Sequence, residues 1–230
     1  MEKLLIALLF IVLTIFVFVF MNRLYIRFSN PLLLPILTTT VTLVSIFFIF
    51  DIPYDTYMLG GEWINQFLGP AVVALAFPLY KQRKVLLNHI VIILGGVFFG
   101  VVAGMFSGLI LATLADVTEE LVVSILPKSL TTPVAVQISE ELGGIPALTA
   151  VFVMIAGLTG AILGPTILNL FRITNPISKG IAMGSASHAI GTSKAFEFGE
   201  LAFSMSSVSM TLSAILGSVI GPLTMHILLR

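Results

Sequence analysis

The chain contains no cysteine, which excludes disulfides, thiolate metal sites and a cysteine nucleophile. Charge is scarce too: 10% of its 230 residues are charged, the two signs cancel, and no Lys/Arg-dense stretch occurs, which excludes nucleic acid as a partner. The parts of an enzyme are missing as well. No paired carboxylate lies within an apolar stretch, no nucleophile stands with a base in a recognisable setting, and there is no phosphate loop. Ser187 beside His188 is adjacency in sequence and no more. Neither enzymatic activity nor a cofactor is expected.

Apolar residues fill the space that charge leaves. A hydrophobic share of 58% and a mean hydropathy of +1.13 are values that no water-facing domain carries. The expected fold is an all-α polytopic membrane protein, a single domain over residues 1–230. A signal peptide is the competing reading of the first 30 residues, but the run from Leu4 to Phe20 is long and ends in Asn22 and Arg23 without a small-residue cleavage site. It should remain as the first transmembrane helix. Further apolar stretches run from about Leu32 to Phe50, Trp63 to Tyr80, Val85 to Leu114, Leu121 to Ser139, Ile145 to Phe171, Ile177 to Ala195 and Leu201 to Leu229, giving about seven or eight segments against the roughly 20 residues each crossing needs.

The positive-inside rule orients them. Arg23, Arg27, Lys81, Arg83 and Lys84 fall on the cytoplasmic side, and Asp51, Asp55, Glu62, Asp116, Glu119 and Glu120 fall outside, with the N-terminus outside. Arg172 and Lys179 join the cytoplasmic side only if Leu121 to Ser139 enters the membrane and turns back, which leaves Glu140 and Glu141 outside. With every later segment crossing, His89 and His226 both come out near the cytoplasmic face.

The run Pro127-Lys-Ser-Leu-Thr-Thr-Pro133 sits inside the segment from Leu121 to Ser139. Each proline removes a helix N–H, so a helix through Pro127 and Pro133 must break. Broken backbone survives in a bilayer only when protein covers it or it lines an aqueous cavity, and polar residues at membrane depth mark function by default. Lys128 either snorkels to the interface or presents its cation to an anionic substrate. Ser129, Thr131, Thr132 and Gln137 would complete a polar pocket for a small carboxylate.

A second polar cluster covers Gly184 to Lys194. Gly184, Ser185, Ser187 and Thr192 keep backbone accessible, as a site built from broken helix ends requires. His188 either binds substrate and carries a proton or donates to a nearby backbone carbonyl. No carboxylate stands at ligand spacing from it, so no metal is expected. Lys194 and Glu197 fit an i,i+3 ion pair at a helix end. Gly96, Gly100, Gly104 and Gly108 recur every fourth residue, and Gly160 with Gly164 and Gly217 with Gly221 repeat the spacing. Such stripes let helices approach closely, within one chain or between copies, or else line a pore.

A weak internal repeat runs through these features. Leu34 to Val41 resembles Leu126 to Val134, and Gly69 to Ala76, with Pro70 as a helix break, corresponds to Gly184 to Gly191. The halves would be residues 31–114 and 121–230, inverted as in many secondary transporters, although the matched pieces differ in spacing by roughly one helix.

At the two polar clusters the chain resembles the LrgB/CidB family of bacterial membrane proteins. The stretches that carry the resemblance run from Pro127 through Gly144 and from Met183 through Ala195, followed by Gly199 and Glu200. The resemblance implies a small LrgA/CidA-type membrane partner. It implies one of two roles: a carrier of small monocarboxylates such as pyruvate or glycolate, or an antiholin-like or holin-like modulator of murein hydrolase activity and autolysis. The plastid glycolate/glycerate transporter is similar to an LrgA-like and an LrgB-like part joined together. A carrier needs a polar site reached from either face, and a holin-type regulator needs surfaces that assemble into an oligomer.

Overall fold

The computed structural model describes residues 2–28, 33–74 and 76–228. Pro31 and Leu32, where the first repeat half and the second expected segment begin, lie outside the described residues, as do Leu75 and Leu229. The described chain is helical with no strand, and it divides into two compact units, Met1–Ala71 and Val72–Arg230.

The first unit holds α1 (Glu2–Phe28), α2 (Pro35–Ile49) and α3 (Tyr54–Asn65). α1 packs against both of the others. Gly60 brings α3 onto the α1 backbone, since a Cβ there would stand 2.6 Å from the Ala7 carbonyl oxygen. Phe10, Phe47 and Tyr57 pack ring against ring beside it, with centroids 4.9 to 5.9 Å apart. The outer faces are apolar: Phe48 is 88% exposed, a surface suited to lipid and not to water. α2 begins at Pro35, a first-turn position where a missing N–H costs nothing.

The apolar stretch from Trp63 to Tyr80 is not one helix, and it is interrupted beside Pro70, the expected helix break. α3 ends at Asn65, and α4 (Leu68–Ala74) and α5 (Ala76–Lys81) follow. Pro70, the third residue of α4, has no N–H to offer the Gln66 carbonyl, so the ladder stops and Gln66 and Phe67 form a turn. The stretch from Val85 also divides, into α6 (Arg83–Asn88) and α7 (Ile90–Leu114), with a turn at His89.

The second unit continues through α8 (Glu119–Ile125), α9 (Thr132–Glu141), α10 (Pro146–Leu170), α11 (Pro176–Ala195) and α12 (Glu200–Leu228). α8 and α9 form a hairpin. Ser124 on α8 and Ser139 on α9 both reach the start of α10: the Ser124 hydroxyl accepts from the Ile145 amide at 2.7 Å, and Thr149 donates to Ser139 at 2.6 Å. Glu119, Glu120, Leu142 and Gly143 accordingly line one cleft at the hairpin's open end. With 7 and 10 residues, the two arms reach only about 10 to 15 Å, half the ~30 Å hydrocarbon core.

Ile177 to Ala195, expected as a segment broken about Gly184 to Gly191, is broken there and also turns back on itself. α11 is two arms folded together at His188, whose φ of 42° and ψ of −128° are non-helical. Gly191 returns against the Met183 carbonyl, and the Lys179 ammonium lies 4.9 Å from the Phe198 ring centroid, so the foot of each arm meets the other. The last helix therefore runs opposite to the expected sense. His226 ends at the acidic end of the unit, far from His89, and the two are not neighbours at one face.

Close contacts fix the direction of each segment. Along α7, Gly96 faces Ile181, Gly100 faces Ser185, Gly104 faces Ser129 and Gly108 faces Lys128, so the first arm of α11 runs parallel to α7 and α8 runs antiparallel. Along α10, Gly164 faces Met183, Gly160 faces Ser187 and Gly157 faces His188, so α10 descends where α7 ascends. The unit is thus a long helix followed by a hairpin, then a second long helix followed by a second hairpin entering from the opposite end. α12 closes it by running the full height. Lys81, Arg83, Lys84, Arg172, Lys179 and Lys194 gather at one end, with Glu197 and Glu200. Asp116, Glu119, Glu120, Glu140 and Glu141 gather at the other.

Four helices of the described chain are long and apolar enough to cross a bilayer: Lys3–Phe28, Ile90–Leu114, Pro146–Leu170 and Glu200–His226. Their apolar residues also face outward, Phe99 of α7 being 72% exposed. Helices of this length and surface make a membrane protein.

Candidate functional site

The two hairpin tips meet beside the middle of α7. Gly100 and Gly104 bracket the midpoint of that helix; a Cβ on the first would stand 2.8 Å from the Ser185 hydroxyl, and on the second 2.6 Å from the Ser129 hydroxyl. One turn of α7 separates them, about 6 Å of rise, which places the two hydroxyls within roughly 11 Å of each other. The glycine stripe therefore seats both tips on one helix face, and its partners belong to the same chain.

The first tip is built by its prolines. α8 ends before Pro127, short turns run through Leu130, and Thr131 caps α9 with Pro133 in its first turn. The Thr131 side chain makes no capping bond, Pro133 has no N–H, and the Val134 and Ala135 amides donate to the Thr131 carbonyl at 3.1 and 2.9 Å. The Thr132 amide is therefore the one first-turn donor of α9 without an intrahelical acceptor, at the positive end of the helix dipole. Thr132 is the first residue of that helix. The Lys128 ammonium donates to the Gly104 carbonyl and to the Ser107 hydroxyl at 3.4 Å. It is half-buried against α7 and does not reach away to the hairpin's open end. Leu130 fills the notch at Gly217 of α12.

The second tip is held by α10 and α12. His188 is 3% exposed, and its Nε2–H donates to the Val153 carbonyl at 2.9 Å, with the ring over Gly157. Ser187 sits on Gly160, and Gly184 presses on the Ser206 backbone of α12. Thr192, on the returning arm, shares a 2.9 Å hydrogen bond with the Ser206 hydroxyl. The Ile181 carbonyl accepts from Ser185 at 2.7 Å and from Ser209 at 2.9 Å.

Not every expected site residue comes to the tips. Lys128, Ser129, Thr131, Thr132 and Ser185 converge there. Ser187 and His188 face α10, and Gly184 and Thr192 face α12. Gln137 is exposed on α9 and lines a lateral pocket of about 400 Å³ with Val73, Leu79, Thr211 and Ser218. Lys194 and Glu197 form their ion pair at 2.6 Å, at the foot of the second hairpin. Among the described residues no group of three or more His, Asp or Glu is placed to hold a metal.

The serines of α12 went unread, because Leu201 to Leu229 looks like plain apolar helix. Ser206, Ser209 and Ser213 recur at i, i+3 and i+7, which is one helix face, and all are buried. That spacing was the available signal.

The model of the LrgB-like family matches residues 14–227. The chain belongs to the LrgB-like family. That match runs through both compact units and both hairpins. The chain is 56% identical to "Uncharacterized protein YxaC" of Bacillus subtilis strain 168 over 223 residues, 97% of each chain. It is 38% identical to "Holin-like protein CidB" of Staphylococcus aureus strain Mu50 over 216 residues, 94% of each. No solved structure matches it.

Proposed function

We propose that this LrgB-family protein carries small monocarboxylates of the pyruvate and glycolate class across a bacterial cell membrane, together with an LrgA/CidA-type partner, and is not an enzyme. The observation that carries this reading is the pair of opposed hairpins whose hydroxyl-bearing tips meet at mid-height of α7. Discontinuous helices meeting near the bilayer midplane are how many secondary transporters build a substrate site. The first tip supplies what an anion needs: the amino end of α9, the hydroxyls of Ser129 and Thr131, and Lys128. An ammonium has three donors, and two are used within the protein.

By the positive-inside rule, the end with Lys81, Arg83, Lys84, Arg172, Lys179 and Lys194 is cytoplasmic and the acidic end is external. The two successive helix-and-hairpin pieces, near residues 90–144 and 146–199, then enter from opposite faces. That makes them better halves of an inverted repeat than 31–114 and 121–230. Leu34 to Val41 runs into a continuous α2, whereas Leu126 to Val134 forms a tip.

Uptake of labelled pyruvate, glycolate and lactate into proteoliposomes, with and without the partner, tests the proposal; accumulation above protein-free vesicles is expected. A second reading is a holin-like regulator of murein hydrolase activity and autolysis, working as an oligomer, and the name of the holin-like CidB relatives favours it. Its mark would be altered autolysis in cells from a protein that moves none of the three acids in vesicles.

A further inference from the structure

Ser213 is 1% exposed, and its hydroxyl has no hydrogen-bond partner among the described residues. Helical serines and threonines ordinarily settle this by donating to the carbonyl one turn back, as Ser185, Ser207 and Thr224 do here. Ser213 does not. A buried hydroxyl left unpaired is costly, and such groups in native structures call for an explanation, an unseen ligand among them.

Its place on α12 supplies one. Ser209, one turn earlier, bonds the Ile181 carbonyl in the arm leading to the second tip. Gly217, one turn later, receives Leu130 of the first tip. Residues four apart share a helix face, so Ser213 occupies the interval on α12 between the two tips. Across that interval lie Ser129 and Ser185, seated on Gly104 and Gly100. The amino end of α9 and Lys128 make the surroundings positive, and every Asp and Glu of this unit lies at its ends. A cation would find no carboxylate there, whereas a carboxylate finds donors.

We infer that Ser213 is a substrate contact, donating its hydroxyl hydrogen to a small carboxylate held between the opposed tips. This rests on the transport reading and adds to it a residue outside both polar clusters.

The absence of cysteine makes the test clean, because Ser213→Cys creates a protein with one thiol. In proteoliposomes that take up pyruvate, a membrane-impermeant anionic methanethiosulfonate should modify the Ser213→Cys protein, and millimolar pyruvate or glycolate should slow the modification. Ser213→Ala should raise the KM for pyruvate about tenfold, the equivalent of ~1.4 kcal/mol, while its thermal stability without substrate stays equal or rises. No modification, or modification that pyruvate and glycolate leave unchanged, would overturn the inference, as would an unchanged KM in Ser213→Ala. Failure of the unsubstituted protein to move any carboxylate would instead bring down the transport reading, and that result is seen before any variant is made.

Discussion

The two hairpins do the same thing by different means. The first breaks because two prolines within its own sequence forbid a continuous helix. The second has no proline between Ser178 and Phe198; it reverses at His188, a non-glycine residue held at a positive φ. A conformation of that kind costs of order 1 to 3 kcal/mol and persists only where its surroundings impose it. Here the imposing contacts are the Val153 carbonyl, the glycines of α10 and the backbone of α12. One break is written locally, and the other is a product of packing.

The largest expected effect falls on that packing. A Cβ at Gly184 would collide with the Ser206 backbone, which cannot swing aside. Gly184→Ala should therefore cost at least the 1 to 3 kcal/mol of an overpacked core and lower the unfolding temperature in detergent by several degrees. Gly108→Ala is the matched change at the first hairpin, where the nearest atom is the flexible end of Lys128 at 3.0 Å. It should cost under about 1 kcal/mol. Equal losses in the two variants would mean that the second hairpin depends on α12 no more than the first depends on α7.

The same contrast explains what was legible in the sequence. Pro127 and Pro133 announced the first hairpin, and the charge pattern at Arg172 and Lys179 required it to turn back. Gly184 to Gly191 read as a second broken segment, and the break is there at His188; that the chain also reverses was not legible, because nothing local demands it, and the last helix was accordingly oriented the wrong way, with His226 misplaced. The glycine stripe from Gly96 to Gly108 was visible as a contact surface. That its partners are the two tips themselves depends on tertiary register, which spacing alone does not carry. Gln137 was assigned to the tip because it follows it closely in sequence, yet about one and a half turns of α9 carry it off to a lateral pocket.

Next in size is a change at the first tip. Under the transport proposal, Lys128→Ala removes a charge-assisted bond to the carboxylate, worth roughly 1.5 to 3 kcal/mol, and the KM for pyruvate should rise about tenfold or more with expression intact. Lys128→Arg keeps the charge but must fit a larger fork against Gly104 and Ser107, so partial recovery is expected. If Lys128→Ala transports as well as the unsubstituted protein, the lysine serves only to pin the hairpin to α7.

A smaller effect is expected at the second tip. His188 donates through Nε2 to a carbonyl, which fits a structural donor better than a proton carrier. His188→Gln keeps a donor of similar reach but cannot titrate, so uptake and its pH profile should both survive nearly unchanged. Loss of pH dependence with counterflow exchange retained would reverse that assignment and make His188 the coupling residue.

The smallest effect belongs to the foot of the second hairpin. Lys194 and Glu197 approach to 2.6 Å, but the Glu197 side chain is 52% exposed, and exposed pairs gain little against screening and side-chain entropy. A double-mutant cycle over Lys194→Ala and Glu197→Ala should return a coupling of about 0.3 to 0.5 kcal/mol, falling as salt is raised. The turn through residues 196–198 should form without the pair, since the feet of the two arms are also joined by Met183, Leu168 and Ala195 packing together. A coupling above ~1.5 kcal/mol would show that the foot is clamped by charge, and the second hairpin would then owe its closure to electrostatics at the membrane surface as well as to glycine packing at its core.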